Sequence, residues 1–154
     1  MKRTSIIALL MICCSVFCYG QQSYFDKYAD LDGVTSVYIT KSMLSLFPKG
    51  KANVNGINIG DIASRLDNIQ ILSADEKSII DQLRKETSSI NTKNGYEELL
   101  RIREDGTKTT IYFNEKKKQK EFVLLVDEKD EFTIISIVGD LTLQEIQGII
   151  AQED

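Results

Sequence analysis

A chain of 154 residues with 42% apolar side chains is long enough to bury one sizeable core and too apolar for intrinsic disorder. It holds 19 basic and 23 acidic residues, one Pro, three Cys, no Trp and no His, so the commonest general base and metal ligand is missing from the outset. The acidic balance also disfavours nucleic acid as a partner.

Lys2 and Arg3 precede an uncharged apolar run of 13 residues, Ile6 to Cys18, which stops at Tyr19-Gly20-Gln21-Gln22. That is the pattern of a secretory signal peptide, and it is too short for a membrane-spanning helix, which needs about 20 apolar residues. Cleavage between Gly20 and Gln21 places Cys18 and Gly20 three and one positions before the cut. The predicted organisation is a leader over residues 1–20 and one domain over 21–154, exported to the periplasm with no transmembrane helix in its mature form. Lipid anchoring at a cysteine is the rival reading. It fits poorly, because only Cys14 follows a tolerably small residue, whereas Ile12 precedes Cys13 and Phe17 precedes Cys18. All three cysteines fall in the leader, so the exported chain has no thiol for a disulfide. Losing Lys2 and Arg3 leaves 17 basic residues against 23 acidic, a net charge of −6.

Behind Ser23, Tyr24, Tyr28 and Leu31 recur at helical spacing, predicting a short helix ended by Asp30-Leu31-Asp32-Gly33. Residues 34–40 alternate and are β-branched, predicting a strand that runs into a helical turn or two through Met43, Leu44 and Phe47, stopped by Pro48. Residues 49–60, the richest in Gly and Asn, predict a mobile loop. Ile59, Ile62, Ala63 and Leu66 then have helical spacing behind Asn58 as cap, and a short strand follows over 69–72. Ser73 and Glu76 read as the capping box of the longest helix, with Ile79, Ile80, Leu83 and Ile90 on one face and Asn94-Gly95 at its end. From Tyr96 the period changes to two, predicting a meander of strands over 96–103, 107–114, 121–126 and 132–138. Asp105-Gly106 is a two-residue hairpin signal. A last helix starts with a Thr142/Glu145 capping box and a Leu141/Ile146 staple, and Leu143, Ile146, Ile149 and Ile150 are expected to pack on the sheet. The sum is an α+β fold with an antiparallel-rich sheet and helices mainly on one face.

Chemistry is sparse. With no His, and no Cys after cleavage, triad-type catalysis and ordinary zinc binding have no residues to use. Ser-x-x-Lys pairs and phosphate-binding glycine loops do not occur, so no catalytic, cofactor or metal residue is assigned. Carboxylates remain as an acid/base reserve at Glu97/Glu98, Glu104/Asp105 and Asp127 to Glu131, each at a strand end or turn where charge is simply solvated. Lys116, Lys117, Lys118 and Lys120 make a basic knot that either touches an acidic partner or lipid, or guards a sheet edge. Tyr24, Phe25 and Tyr28 either meet a partner or pack the first helix. The most informative feature is two-sided apolarity: Phe122, Leu124 and Val126 alternate with Val123 and Leu125, and Phe132, Ile134 and Val138 with Ile135 and Ile137. Antiparallel sheets normally leave one face wet, so the second face must be covered, either by the short N-terminal helices or by a ligand or partner. Leu99 and Tyr112 are expected to extend that apolar interaction face on neighbouring strands.

Six stretches carry a family resemblance: Phe25-Asp26-Lys27-Tyr28, Val34-Thr35-Ser36-Val37-Tyr38-Ile39, Ile69-Gln70-Ile71-Leu72-Ser73, Tyr96-Glu97-Glu98-Leu99-Leu100, Leu124-Leu125-Val126-Asp127-Glu128 and Ile137-Val138-Gly139-Asp140. From about Tyr24 to Ile150 the chain resembles a bacterial family of small secreted proteins catalogued as domain of unknown function 4252. The resemblance implies export and a signalling or envelope-stress accessory role, and it transfers no activity to any residue. The resulting expectation is a non-enzymatic periplasmic domain that binds another envelope protein. Alternatives are a carrier of a lipid or small apolar ligand, and a carboxylate-dependent hydrolase.

Overall fold

A computed structural model describes residues 24–46, 53–54, 57–58, 62–116 and 119–150. The expectations for the leader, the Gly20/Gln21 cut, Lys117, Lys118 and most of the 49–60 loop lie outside them. In chain order the elements are α1 (Tyr24–Tyr28), β1 (Val34–Thr40), α2 (Lys41–Leu44), a small hairpin of β2 (Asn53–Val54) and β3 (Ile57–Asn58), and β4 (Leu66–Ala74). Then come α3 (Lys77–Thr87), β5 (Glu97–Glu104), β6 (Thr107–Lys116), β7 (Gln119–Asp127), β8 (Phe132–Gly139) and α4 (Leu143–Ile150). Six strands pair antiparallel in the order β1-β4-β8-β7-β6-β5. The fold is thus α+β and antiparallel-rich, with the C-terminal meander intact and the β1–β4 pair added beyond β8.

The alternation of β7 and β8 is used on both faces. Val123, Leu125, Phe132 and Ile134 pack with Leu72 of β4 under Phe25 and Tyr28 of α1 and Ile79, Ile80 and Leu83 of α3. On the opposite face Phe122, Ile137, Ile69 and Ile71 pack under Leu44, Ile62, Leu141 and Ile146. Helices therefore cover both faces, which corrects the expectation that they lie mainly on one. The aromatic trio is settled for two members: Phe25 and Tyr28 are core residues, and the Tyr28 hydroxyl reaches Glu86 at 2.9 Å while Lys27 pairs with the same carboxylate.

Local signals succeed where nothing distant competes. Asp105 and Gly106 both have positive φ, 47° and 88°, as a type I′ hairpin requires. The α4 capping box is reciprocal: the Thr142 N–H donates to Glu145 at 2.8 Å and the Glu145 N–H donates to the Thr142 hydroxyl at 3.3 Å. Other signals are overridden. Ile59 lies outside the described residues, and among the described ones of the expected helix, Ile62 to Leu66, a 3₁₀ turn forms over Ala63–Arg65, because Leu66 is drawn into β4 opposite Gly139. Ser73 caps nothing, since it lies in β4 and its hydroxyl bonds Glu131 and Thr133. Helix α3 stops at Thr87 rather than Asn94, where Thr87, Ser88 and Ser89 turn their hydroxyls onto carbonyls three or four residues back. Part of the expected loop is the β2–β3 hairpin. Leu143, expected to pack on the sheet, is 48% exposed.

Arg65 clamps α4 to the start of β4 by donating to both Glu145 oxygens and to the Asp140 carbonyl. Arg65, followed by the Thr142 N–H, holds the Glu145 carboxyl at a pKa of about 2. A carboxyl whose folded pKa is lowered stabilises the fold above its unfolded value of 4.5, and that contribution disappears as pH falls toward 2. Glu145→Ala is therefore expected to cost about 1 kcal/mol near neutral pH. In urea titrations its difference from the parent should shrink steadily below about pH 4.

Candidate functional site

Cross-strand register assigns every sheet residue to a face. On the α4 face, Leu100, Ile111, Leu124 and Ile135 lie in one row across β5, β6, β7 and β8, and Ile102, Thr109, Val126 and Thr133 lie in the next. The neighbouring row, Phe113, Phe122 and Ile137, is packed in the cluster that includes Leu141 and Ile146, with the two phenyl rings 5.0 Å apart. Cover fades from there. Ile111 is still buried, Leu124, Val126 and Ile135 are half-buried, and Leu100 and Ile102 on the edge strand are 40% and 43% exposed. The result is an apolar shelf at the β5 end of the sheet, wider than the scattered single exposures usual on a protein surface.

The expected pair of interaction residues is split. A bulge between Glu98 and Leu100 adds one residue to β5, and Leu99 packs with the α4-face cluster. Tyr112, opposite Val123, packs with the α3-face cluster. Strict alternation would have kept the two together. The bulge breaks it, so Leu99 belongs to the root of the shelf and Tyr112 does not.

The carboxylates do not converge. Glu97 stands opposite Phe113 and Glu98 opposite Tyr112, which puts them on opposite faces. Glu98 is paired with Arg101. Asp127 accepts from Arg84 Nε at 2.9 Å and Nη2 at 2.7 Å, and Arg84 also donates to the Glu128 carbonyl. Asp127 lies opposite Lys108, four residues along β6 from the partner of Glu98. That is roughly 13 Å along the strands before the lateral step is added, beyond the reach of a glycosidase pair. Among the described residues no three of His, Cys, Asp and Glu are placed to hold a metal ion. Of the basic knot, Lys120 pairs with Asp140 at 3.0 Å.

One polar cluster went unforeseen. On the α3 face, the Tyr96 hydroxyl and the Ser136 hydroxyl donate to the two oxygens of Glu121 at 3.1 and 3.0 Å. Asn114, opposite Glu121, is buried with its Nδ2 unpartnered among the described residues. Burial, then the Glu121 charge, push the Tyr96 phenol up to about 12. The sequence did carry a signal, since Asn114 and Ser136 are in phase with the inward Tyr112 and Ile134. On the same face, an open cleft of about 320 Å³ lies between the end of α3 and β6 to β8, lined by Ile90, Lys108, Tyr112, Leu125 and Phe132 among others.

Residues 28–149 match the family described as Domain of unknown function (DUF4252). No curated protein matches the chain. The crystal structure of the Saccharomyces cerevisiae Ran-binding protein Mog1p is similar over 79% of each chain, at 17% identity and a TM-score of 0.28, a likeness too slight to bear on fold or function. Among the described residues no helix is long and apolar enough to cross a membrane.

Proposed function

The chain belongs to the family described as Domain of unknown function (DUF4252), and from that premise we propose that it is a non-enzymatic periplasmic domain that binds another envelope protein through the apolar shelf of its sheet. The observation that carries this reading is the exposure of Leu100 and Ile102 on an edge strand, beside the half-buried Leu124, Val126 and Ile135. Apolar rows that continue to a sheet edge with no covering helix among the described residues are suited to a partner's own apolar surface. The leader pattern over residues 1–20 supports the compartment, and an accessory signalling role suits a domain whose carboxylates are dispersed or ion-paired.

The double variant Leu100→Glu/Ile102→Glu tests it. Both side chains are already exposed, so unfolding is expected to shift by no more than about 1 kcal/mol. Crosslinking in intact cells should lose the partner adduct at least tenfold, because two carboxylates would have to be desolvated against an apolar surface. An adduct that survives the double substitution would remove the shelf from the reading. Background proteins alone, together with a retained small molecule, would turn it toward ligand carriage in the cleft at the end of α3.

A further inference from the structure

An edge strand presents unpaired backbone N–H and C=O groups, and proteins commonly guard such edges with charge. The two edges of this sheet are treated differently. Strand β5 carries Glu97, Glu98, Arg101, Arg103 and Glu104, and pairing it with itself about Arg101 would set like charges face to face. Strand β1, Val34-Thr35-Ser36-Val37-Tyr38-Ile39-Thr40, carries no charge, no Pro and no Gly, and its register against β4 is unbroken. Thr35, Ser36, Tyr38 and Thr40 are exposed, Tyr38 by 61%. An open cleft of about 290 Å³ lies directly beside it, between α1 and β1, lined by Phe25, Asp26, Ala29, Ser36, Val37 and Gln70, with the chain's own Tyr38 forming part of its wall.

We propose that two copies of this chain pair antiparallel along β1 about a two-fold axis at Val37, each seating its Tyr38 ring in the α1–β1 cleft of the other. In that register Tyr38 falls opposite Ser36, Ile39 opposite Thr35 and Thr40 opposite Val34, so β-branched and aromatic side chains face small or β-branched ones and no charge meets charge. Directly opposed residues of an antiparallel pair share a face. Tyr38 of one copy is therefore delivered over Ser36 of the other, on the side where the cleft lies. Both clefts are filled at once, as a two-fold contact requires. The two six-stranded sheets become one, with both apolar shelves on the same side and at opposite ends. The occupant is a second copy because knob and hole are both present on the one chain and the edge is compatible in charge with itself.

Sedimentation equilibrium over about 1 µM to 1 mM, on protein purified from cells expressing the full chain, reads the association. The parent is expected to dimerise. Ser36→Lys/Tyr38→Lys and Ser36→Glu/Tyr38→Glu should each raise the dissociation constant at least tenfold, and their equimolar mixture should restore a heterodimer. Tyr38→Ala should weaken the dimer, whereas Arg103→Gln on the other edge should not. If a charged variant loses its fold, Tyr38→Ala decides, since it removes only an exposed ring. A parent that stays monomeric, a dimer indifferent to Tyr38→Ala, or one dissociated by Arg103→Gln would each overturn the proposal.

Discussion

Gly139→Ala is expected to lower the free energy of unfolding by roughly 3 kcal/mol, a fall of about 10 °C in melting temperature for a domain of this size. The backbone conformation is not the reason, since Gly139 does not have positive φ. Space is the reason: a Cβ there would stand 2.6 Å from the Arg65 carbonyl oxygen and 2.7 Å from the Leu66 Cα, both backbone atoms that cannot swing away. That carbonyl accepts the Asp140 N–H at 3.0 Å, and Gly139 pairs with Leu66 where β4 begins. Displacing it opens the β4–β8 end and moves Arg65 away from Glu145, loosening α4 as well. Gly106→Ala supplies the contrast. Its Cβ would meet nothing within 4 Å, and only its φ of +88° is strained, so about 1 kcal/mol is expected. Urea unfolding of the two variants should rank Gly139→Ala well below Gly106→Ala. The reverse order would mean that the strands are not in such close contact.

Leu83→Ala is expected to cost about 4 kcal/mol. Leu83 is fully buried on α3, in the cluster with Leu72, Val123 and Ile134, and truncating such a leucine removes transfer energy and leaves a cavity. The surrounding wall is stiff: β-branched residues from the sheet below and the Arg84–Asp127 pair beside it limit collapse. Leu143→Ala, on the exposed side of α4, should change stability by less than about 0.5 kcal/mol although sequence pattern gave both leucines the same packing role. Equal losses at the two positions would show that α4 buries a different face.

The strands were legible because period-two patterning is a local property, and β5 to β8 lie within a residue or two of where alternation alone places them. Strand β1 was legible for the same reason, and α4 because its cap and staple are contiguous. What was not legible depended on distant partners. Leu66 has helical spacing with Ile62 and Ala63, yet its place opposite Gly139 makes it a strand residue. Ser73 has the spacing of a cap, but Thr133 and Glu131 from β8 and its preceding turn claim its hydroxyl. Two-sided apolarity announced that the second sheet face needed cover, and the short N-terminal segments expected to give it do so through α2 and the turn at Ala63, with α4 beside them. The candidate site was legible only in part. Leu99 and Tyr112 were paired on the premise of unbroken alternation, and a one-residue bulge has no signature in the run Glu97-Glu98-Leu99-Leu100. Leu100 and Ile102, the residues that are left uncovered, become visible only once α4 is placed over the other end of the sheet.

The claim that this is a binding domain is tested most directly by photo-crosslinking in intact cells, with a photoreactive side chain placed in turn at Leu100, Arg101, Ile102 and Arg103. Side chains along a strand alternate between faces, so adducts with one envelope protein are expected from Leu100 and Ile102, with little from Arg101 and Arg103. Equal adducts from all four positions, or none from Leu100 and Ile102, would contradict binding through the shelf.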